Sequence, residues 1–340
     1  MTAISHGPVV IADYDYGDVD IERRIIEGAG LELIAAQCKS EDEVITVAKD
    51  AAAVVTQYAG ISARVIAELS RCHVIARYGT GVDVVDVAAA TENNILVTNV
   101  PNEWCQDEVA DHAMALLLAV ARKINIYDRA TRQGTWRWQS GEPLHRLRGS
   151  VLGLLSFGAI ARAVAARAAG FGMIITAYDP FLSAEEVTSA GVRQVSFDEL
   201  ITGSDCLVIQ APLTAETYHL FDEAQLRRMK PTAILINTAR GPIVEDRALY
   251  RALSEGWIAG AGLDDIEEEP AKIRNWQPGN PLFGLDNVII TPHAAYYSEE
   301  SMITVRRFAA EEVVRVLSGQ APHSPVNAGE LVQARWLQAQ

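Results

Sequence analysis

Three short stretches in the C-terminal half of the 340-residue chain end an apolar run on residues that can move protons or bind anions. They are Leu235-Ile-Asn-Thr-Ala-Arg240-Gly241, Gly260-Ala-Gly-Leu-Asp264-Asp265-Ile266-Glu267-Glu268-Glu269-Pro270 and Ile290-Thr291-Pro292-His293-Ala294-Ala295. An imidazole titrates near neutral pH and can give or take a proton. A guanidinium can grip a carboxylate with two parallel hydrogen bonds. Taken singly, each stretch also has a plain reading. His293 after a proline reads as a turn histidine, Arg240 before a glycine as a surface cation, and Glu267 to Glu269 as a solvated acidic loop.

A fourth stretch, Gly149-Ser-Val-Leu-Gly-Leu-Leu-Ser156-Phe157-Gly158-Ala159-Ile160-Ala161, reads as strand, tight turn and Ala-rich helix. It sits where a dinucleotide fingerprint G-x-G-x-x-G/A belongs. Gly158 allows close approach of a pyrophosphate, and the helix that follows points N–H groups at it. Ser156 replaces the first glycine of the pattern. Asp179 ends the next apolar run, about twenty residues further on. A carboxylate there accepts from ribose hydroxyls and repels a 2′-phosphate, which favours NAD over NADP; an Asp capping the turn before Pro180 is the alternative.

These residues need strand ends to hold them. β-rich runs alternate with longer Ala/Leu-rich stretches, which implies an α/β class with parallel sheets and helical crossovers. The first series runs over Val9–Ala12, Leu31–Ala36, Ala52–Thr56, His73–Arg77 and Ile95–Thr98, with helices at Ile21–Gly28 and Ala63–Leu69. A long apolar helix from about Gln106 to Arg122 is expected to be buried between two bodies. A second series begins at Gly149: Val151–Ser156, Met173–Tyr178, Cys206–Gln210, Ala233–Asn237, Ile258–Leu263 and Val288–Thr291. A helix over Glu299–Leu317 should run back to the first domain. Trp136 and Trp138 lie in a polar, turn-rich stretch and by type alone read as core residues.

Composition bounds the function. Hydrophobic residues are 49% and charged residues 21%, as in an ordinary globular protein. A formal net charge of −15 repels phosphate backbones and disfavours nucleic-acid binding. The N-terminal Met1–His6 shows no basic and apolar leader pattern, and no apolar run is long enough for a membrane span. Cys38, Cys72, Cys105 and Cys206 form no C-x-x-C pair, and metal ligation is not expected; reduced thiols in a cytoplasmic protein are.

The order Arg…Glu…His in these contexts resembles the D-isomer-specific 2-hydroxyacid dehydrogenases, a family that includes phosphoglycerate, glycerate and D-lactate dehydrogenases and the C-terminal binding protein corepressors. The resemblance spans roughly Tyr58 to Asn327. It rests also on Tyr78-Gly79-Thr80-Gly81-Val82-Asp83, Asn99-Val100-Pro101, Val109-Ala110-Asp111-His112 and the nucleotide turn. Thr291-Pro-His-Ala-Ala-Tyr-Tyr-Ser298 and Tyr178-Asp-Pro-Phe-Leu-Ser183 look closest to the corepressor-like branch.

The resemblance implies an NAD-dependent oxidoreductase that interconverts a 2-keto acid and its D-2-hydroxy acid. His293 matches the general acid and base, Glu269 its partner, and Arg240 the group that binds the substrate carboxylate. Cofactor contacts are implied at Ser156, Gly158, Ala159, Ile160 and Asp179. Further ones fall at Ala211, Pro212 and Thr217, at Thr238 and Ala239, and at Asp264 and Ala295. Substrate contacts are implied at Tyr58, Arg77, and the backbone around Tyr78-Gly79. Aromatic residues at Tyr58, Tyr78, Trp136 and Tyr296 suggest a bulky or flat substrate side chain. Two Rossmann-like or flavodoxin-like domains with a cleft between them are implied: residues 1–101 with 297–340 for substrate, and 102–296 for NAD. Trp136 and Trp138 resemble part of an arm that embraces a second subunit, implying a homodimer. Departures stand at Ser156, at Gln210-Ala211, at Asp265, where the family has an apolar residue, and in the long loop Ala271–Pro281. The rival reading is an NAD(H)-sensing corepressor-like protein with little turnover.

Overall fold

A computed structural model describes residues 7–273 and 275–331; Met1–His6 lie outside them. The chain divides into two compact units. The first gathers the chain up to Trp104, a short piece beginning at Ala271, and the chain from Ser298 onward. The second gathers Cys105–Pro270 and Asn275–Tyr297.

The first unit holds five parallel strands: β1 (Val9–Ile11), β2 (Leu33–Ala35), β3 (Ala53–Thr56), β4 (Val74–Arg77) and β5 (Leu96–Thr98). Their order, β2-β1-β3-β4-β5, is that of flavodoxin-like sheets. Both faces are covered, so β1, β3, β4 and β5 are buried without alternation, while the edge strand β2 buries only Leu33 and leaves Ala35 exposed. On one face the helices Asp20–Gly28 and Glu299–Leu317 pack over Val9, Ile11 and Val74. Val305, Ala309 and Val313 recur every four residues and form that helix's apolar stripe. The opposite face buries Val10, Val54 and Ile75 under Val44, Val65 and Ile66. Glu22 is fully buried and takes two hydrogen bonds from the Arg306 guanidinium, at 2.9 and 2.8 Å. The same guanidinium reaches Asp18 at 2.9 Å. Asn327 stitches the chain after this helix to β5, accepting from the Val97 N–H at 2.9 Å.

The second unit holds seven parallel strands: β6 (Val151–Leu155), β7 (Ile174–Tyr178), β8 (Arg193–Gln194), β9 (Cys206–Ile209), β10 (Ile234–Asn237), β11 (Gly260–Leu263) and β12 (Val288–Ile290). Their order is β12-β11-β10-β9-β6-β7-β8. Chain direction across the sheet reverses between β6 and β9, the point where doubly wound sheets open a ligand crevice. The helix Gln106–Ala121 does not need a second body for its apolar surface. It packs within this unit on β10, β11 and the helix Ala159–Gly170, burying Ala113, Leu116, Leu117 and Val120.

The α/β class and both parallel sheets stand as expected, with strand bounds within two residues. The two-residue β8 and the helices Glu41–Ala48 and Ile124–Arg132 were not anticipated. Trp136 and Trp138 are 87% and 67% exposed, which overturns their reading as core residues. All four cysteines are buried, and burial pushes the Cys206 thiol up to about 12. Among the described residues no helix is long and apolar enough to cross a membrane.

Candidate active site

The chemistry-bearing residues of the second unit sit just past the carboxyl ends of consecutive strands. Ser156 follows β6, Asp179 follows β7, Ala211 and Pro212 follow β9, Thr238 to Arg240 follow β10, Asp264 and Asp265 follow β11, and His293 follows β12. Ser156 and Ala211 therefore flank the reversal point of the sheet.

The turn after β6 fits a dinucleotide. Gly158 caps the helix Ala159–Gly170, and no side chain caps its first N–H groups. A Cβ on Gly158 would meet no protein atom. The space above this helix end is open to a ligand. The Asp179 carboxylate is drawn to the same turn. It accepts from the Phe157 N–H at 2.9 Å, the Ser156 hydroxyl at 3.2 Å and the Phe181 N–H at 2.9 Å. The turn-capping reading of Asp179 is therefore what these contacts display.

Ser156 has a φ of 73°, a left-handed conformation that glycine adopts without cost. That is the physical content of its departure from the fingerprint. Ser156→Gly is expected to raise the unfolding free energy by roughly 0.5–1 kcal/mol, read by denaturant titration. A destabilised variant would mean that the hydroxyl bond to Asp179 outweighs the backbone strain.

On the next strands the hydroxyls close local loops. Thr217 Oγ1 donates to the Pro212 carbonyl at 2.7 Å, and Gln210 Nε2 donates to Thr238 Oγ1 at 2.6 Å. Asn237 shapes the turn that carries Arg240, donating to the Arg240 carbonyl at 2.8 Å and accepting from the Ala239 N–H at 3.0 Å. Gly241 is pressed on the backbone of Ile266; a Cβ there would lie 2.1 Å from the Ile266 carbonyl oxygen.

His293 and Glu269 are brought together across twenty-four residues of chain. Nδ1 of His293 lies 2.5 Å from Oε1 of Glu269, and the Glu269 side chain is nearly fully buried. His293 has a φ of 52°, strain of a kind that clusters at functional sites. Asp264 holds that turn in place. Its carboxylate accepts from Thr291 Oγ1 at 2.5 Å and from the N–H groups of Ala294 and Ala295 at 2.9 and 2.8 Å. Only 2% of Asp264 is exposed, so what the structure displays for it is support of the His293 turn.

In the first unit, Tyr58, Arg77 and Tyr78 are all buried at strand ends. The ring of Tyr78 stacks edge-on against Tyr16, and its hydroxyl donates to Glu22 at 3.1 Å. Burial and the Glu22 charge hold that phenol well above its ordinary range. Its side chain is thus committed to the core, and the Tyr78 N–H is bonded to the Thr56 carbonyl at 2.9 Å. Trp136, by contrast, is exposed. Gly79 has a φ of 138°, and the Arg77 guanidinium curls over the face where a Cβ would stand.

Residues 114–295 match the model of the D-isomer specific 2-hydroxyacid dehydrogenase NAD binding domain. The chain belongs to this family. It is 42% identical over 278 residues to a glyoxylate reductase of Korarchaeum cryptofilum, covering 81% of this chain and 82% of the relative. It is 38% identical over 299 residues to a D-3-phosphoglycerate dehydrogenase of Archaeoglobus fulgidus, covering 88% of this chain and 55% of the relative. Among solved structures, a D-lactate dehydrogenase of Aquifex aeolicus complexed with NAD and lactic acid superposes with a TM-score of 0.82 at 28% identity, covering 92% and 96% of the two chains.

Within this dehydrogenase, three features escaped the sequence reading. His112 places Nε2 2.9 Å from Thr291 Oγ1 and 3.4 Å from Asp264. It thus supports the same turn as Asp264, from a position 179 residues away along the chain. Asp265, noted only as a departure, is buried beside the Glu269–His293 pair. A second histidine–glutamate contact, His219 Nε2 to Glu267 Oε1 at 2.5 Å, lies in the same acidic run. Glu267 in turn accepts from the Asp246 N–H at 2.7 Å, and Asp246 accepts from Asn280 Nδ2 at 2.6 Å.

Burial, helped by the charges of Glu267 and Asp265, pushes the Asp246 carboxyl up from 3.8 to about 6. A raised carboxyl means that the folded state retains a proton the unfolded state releases. Stability is therefore expected to fall as pH rises from about 4 to about 6, and to stay at the lower level above that. In Asp246→Asn this loss should be absent. The unfolding free energy of the variant should gain on the parent by about 1–2 kcal/mol between about pH 4 and 7, after allowing for partial exposure. Urea titrations at several pH values measure it; parallel pH curves for the two proteins would show the assignment to be wrong.

Proposed function

We propose that this protein reduces a small 2-keto acid to its D-2-hydroxy acid with NADH, and catalyses the reverse oxidation. The observation that carries this reading is the buried Glu269 carboxylate bonded to Nδ1 of His293 at 2.5 Å. Bound NADH supplies the hydride. His293 gives its proton, from Nε2, to the oxygen at C2, and Glu269 stabilises the imidazolium that does so. Arg240 binds the carboxylate and polarises the C2 carbonyl. Tyr58, Arg77 and the Tyr78–Gly79 backbone are assigned to the acid on the resemblance alone.

The dinucleotide is held by the turn at Ser156–Ile160 and the helix N-terminus after it. Asp179 supports NAD over NADP, since a 2′-phosphate would meet its negative charge. Ala211, Pro212, Thr217, Thr238, Ala239 and Ala295 complete this assignment. The curated relatives named above favour an acid of the size of glyoxylate or a phosphorylated hydroxy acid. The exposed Trp136 and Trp138 support pairing of two copies of the chain through this segment. A cytoplasmic enzyme fits the buried cysteine thiols.

The test is nicotinamide absorbance followed with glyoxylate, hydroxypyruvate, pyruvate, phenylpyruvate and 3-phosphohydroxypyruvate, with NADH and NADPH in parallel. Turnover with NADH giving the D product supports the proposal. Tight NADH binding without turnover on any acid would replace it with the NAD-sensing reading.

A further inference from the structure

Asp265 stands directly after Asp264 at the end of β11 and is 7% exposed. Its two carboxylate oxygens are turned to different stretches of backbone. Oδ1 accepts from the Ile266 N–H at 2.8 Å. Oδ2 accepts from the Gly241 N–H at 3.2 Å, the amide that follows Arg240. The approach is close, because Gly241 lies against the Ile266 carbonyl with no room for a Cβ. One oxygen of Asp265, one of Glu269 and one ring nitrogen of His293 all lie within 4.8 Å of one another.

A carboxylate that accepts two backbone N–H bonds in a buried site makes a stronger brace than a neutral side chain would. An apolar residue, which the family resemblance leads one to expect here, would accept neither bond. Asp265 thus ties the Arg240 turn of β10 to the loop that carries Glu269. From this geometry we infer that Asp265 is a positioning residue, which sets the Arg240 guanidinium relative to the Glu269–His293 pair for the substrate carboxylate. The inference rests on the roles proposed above for Arg240 and His293.

A brace of this kind acts on the grip of the acid and leaves the nucleotide turn alone. Asp265→Ala is expected to raise KM for the keto acid about tenfold or more, the loss of one charge-assisted hydrogen bond. The Kd of NADH, measured by fluorescence titration, should stay within about twofold. Asp265→Asn retains one acceptor oxygen in the same volume and should fall between parent and alanine variant. It also keeps the test open if the alanine protein does not fold. A lowered melting temperature with unchanged KM in Asp265→Asn would overturn the inference and leave Asp265 as scaffold. Arg240→Lys, measured beside them, separates the two levels. A raised KM there with no effect at Asp265 overturns only this inference. No effect at Arg240 overturns the site assignment and this inference with it.

Discussion

His293→Ala is expected to lower kcat for keto-acid reduction by about 10²–10⁴-fold, the usual worth of a placed general acid. NADH binding should be largely retained, because the turn proposed to hold the pyrophosphate follows β6, three strands away from β12, which leads into His293. The variant also leaves the buried Glu269 carboxylate without its imidazole partner, so a fall in melting temperature belongs to the expected result. Single-turnover kinetics separates the two effects, since a folded, NADH-loaded protein that fails to oxidise its nicotinamide has lost the chemical step. Turnover within about tenfold of the parent would move the proton donor elsewhere. Because the imidazole is fixed through Nδ1, His293→Gln should recover little: its amide is not an acid.

Arg240→Lys should lower kcat/KM by roughly 10²–10³-fold, chiefly through KM. A guanidinium presents two parallel donors to a carboxylate, and each hydrogen bond to a charged group is worth about 1.5–3 kcal/mol. An ammonium keeps the charge and loses the fork. Its shorter reach also removes the bond from Nη1 to the Ala239 carbonyl, now 2.8 Å, that helps to orient the head group. Steady-state kinetics with the best acid of the panel checks this. A fall in kcat at constant KM would restrict Arg240 to polarising the carbonyl, and unchanged kinetics would remove it from the site.

Much of this arrangement is legible along the chain because it is local. Strands of β-branched residues bounded by glycine or charge appear where expected, and a polar residue past an apolar run marks a strand end whatever the tertiary fold. What sequence reading misses is contact across long separations and elements too short to carry a period. β8 has two residues, fewer than any alternation needs. His112 has no motif of its own that points to Thr291; only the packing of the helix Gln106–Ala121 on β11 and β12 brings them together. Asp265 reads only as a departure from an apolar position, because nothing in its neighbours tells that the Gly241 N–H donates to it. Tyr78 misled in the opposite direction. Its backbone lies in a glycine-rich, site-like motif, but its ring and hydroxyl are held by Tyr16 and Glu22, far earlier in the chain.

The Glu22–Arg306 pair joins residues 284 apart, and that span bears on how the protein is made. A ribosome adds about 5–20 residues per second, so the five strands of the first sheet are out of the exit tunnel well before the helix Glu299–Leu317 exists. Until then Val9, Ile11 and Val74 have no Val305, Ala309 or Val313 to cover them, and Glu22 has no counter-ion. The inserted second unit, contiguous but for one loop, can complete its own sheet in that interval. Nascent chains halted before Arg306 should therefore expose an apolar sheet face to chaperones while already carrying a finished second sheet, and emergence of the helix Glu299–Leu317 is the event that closes the first one.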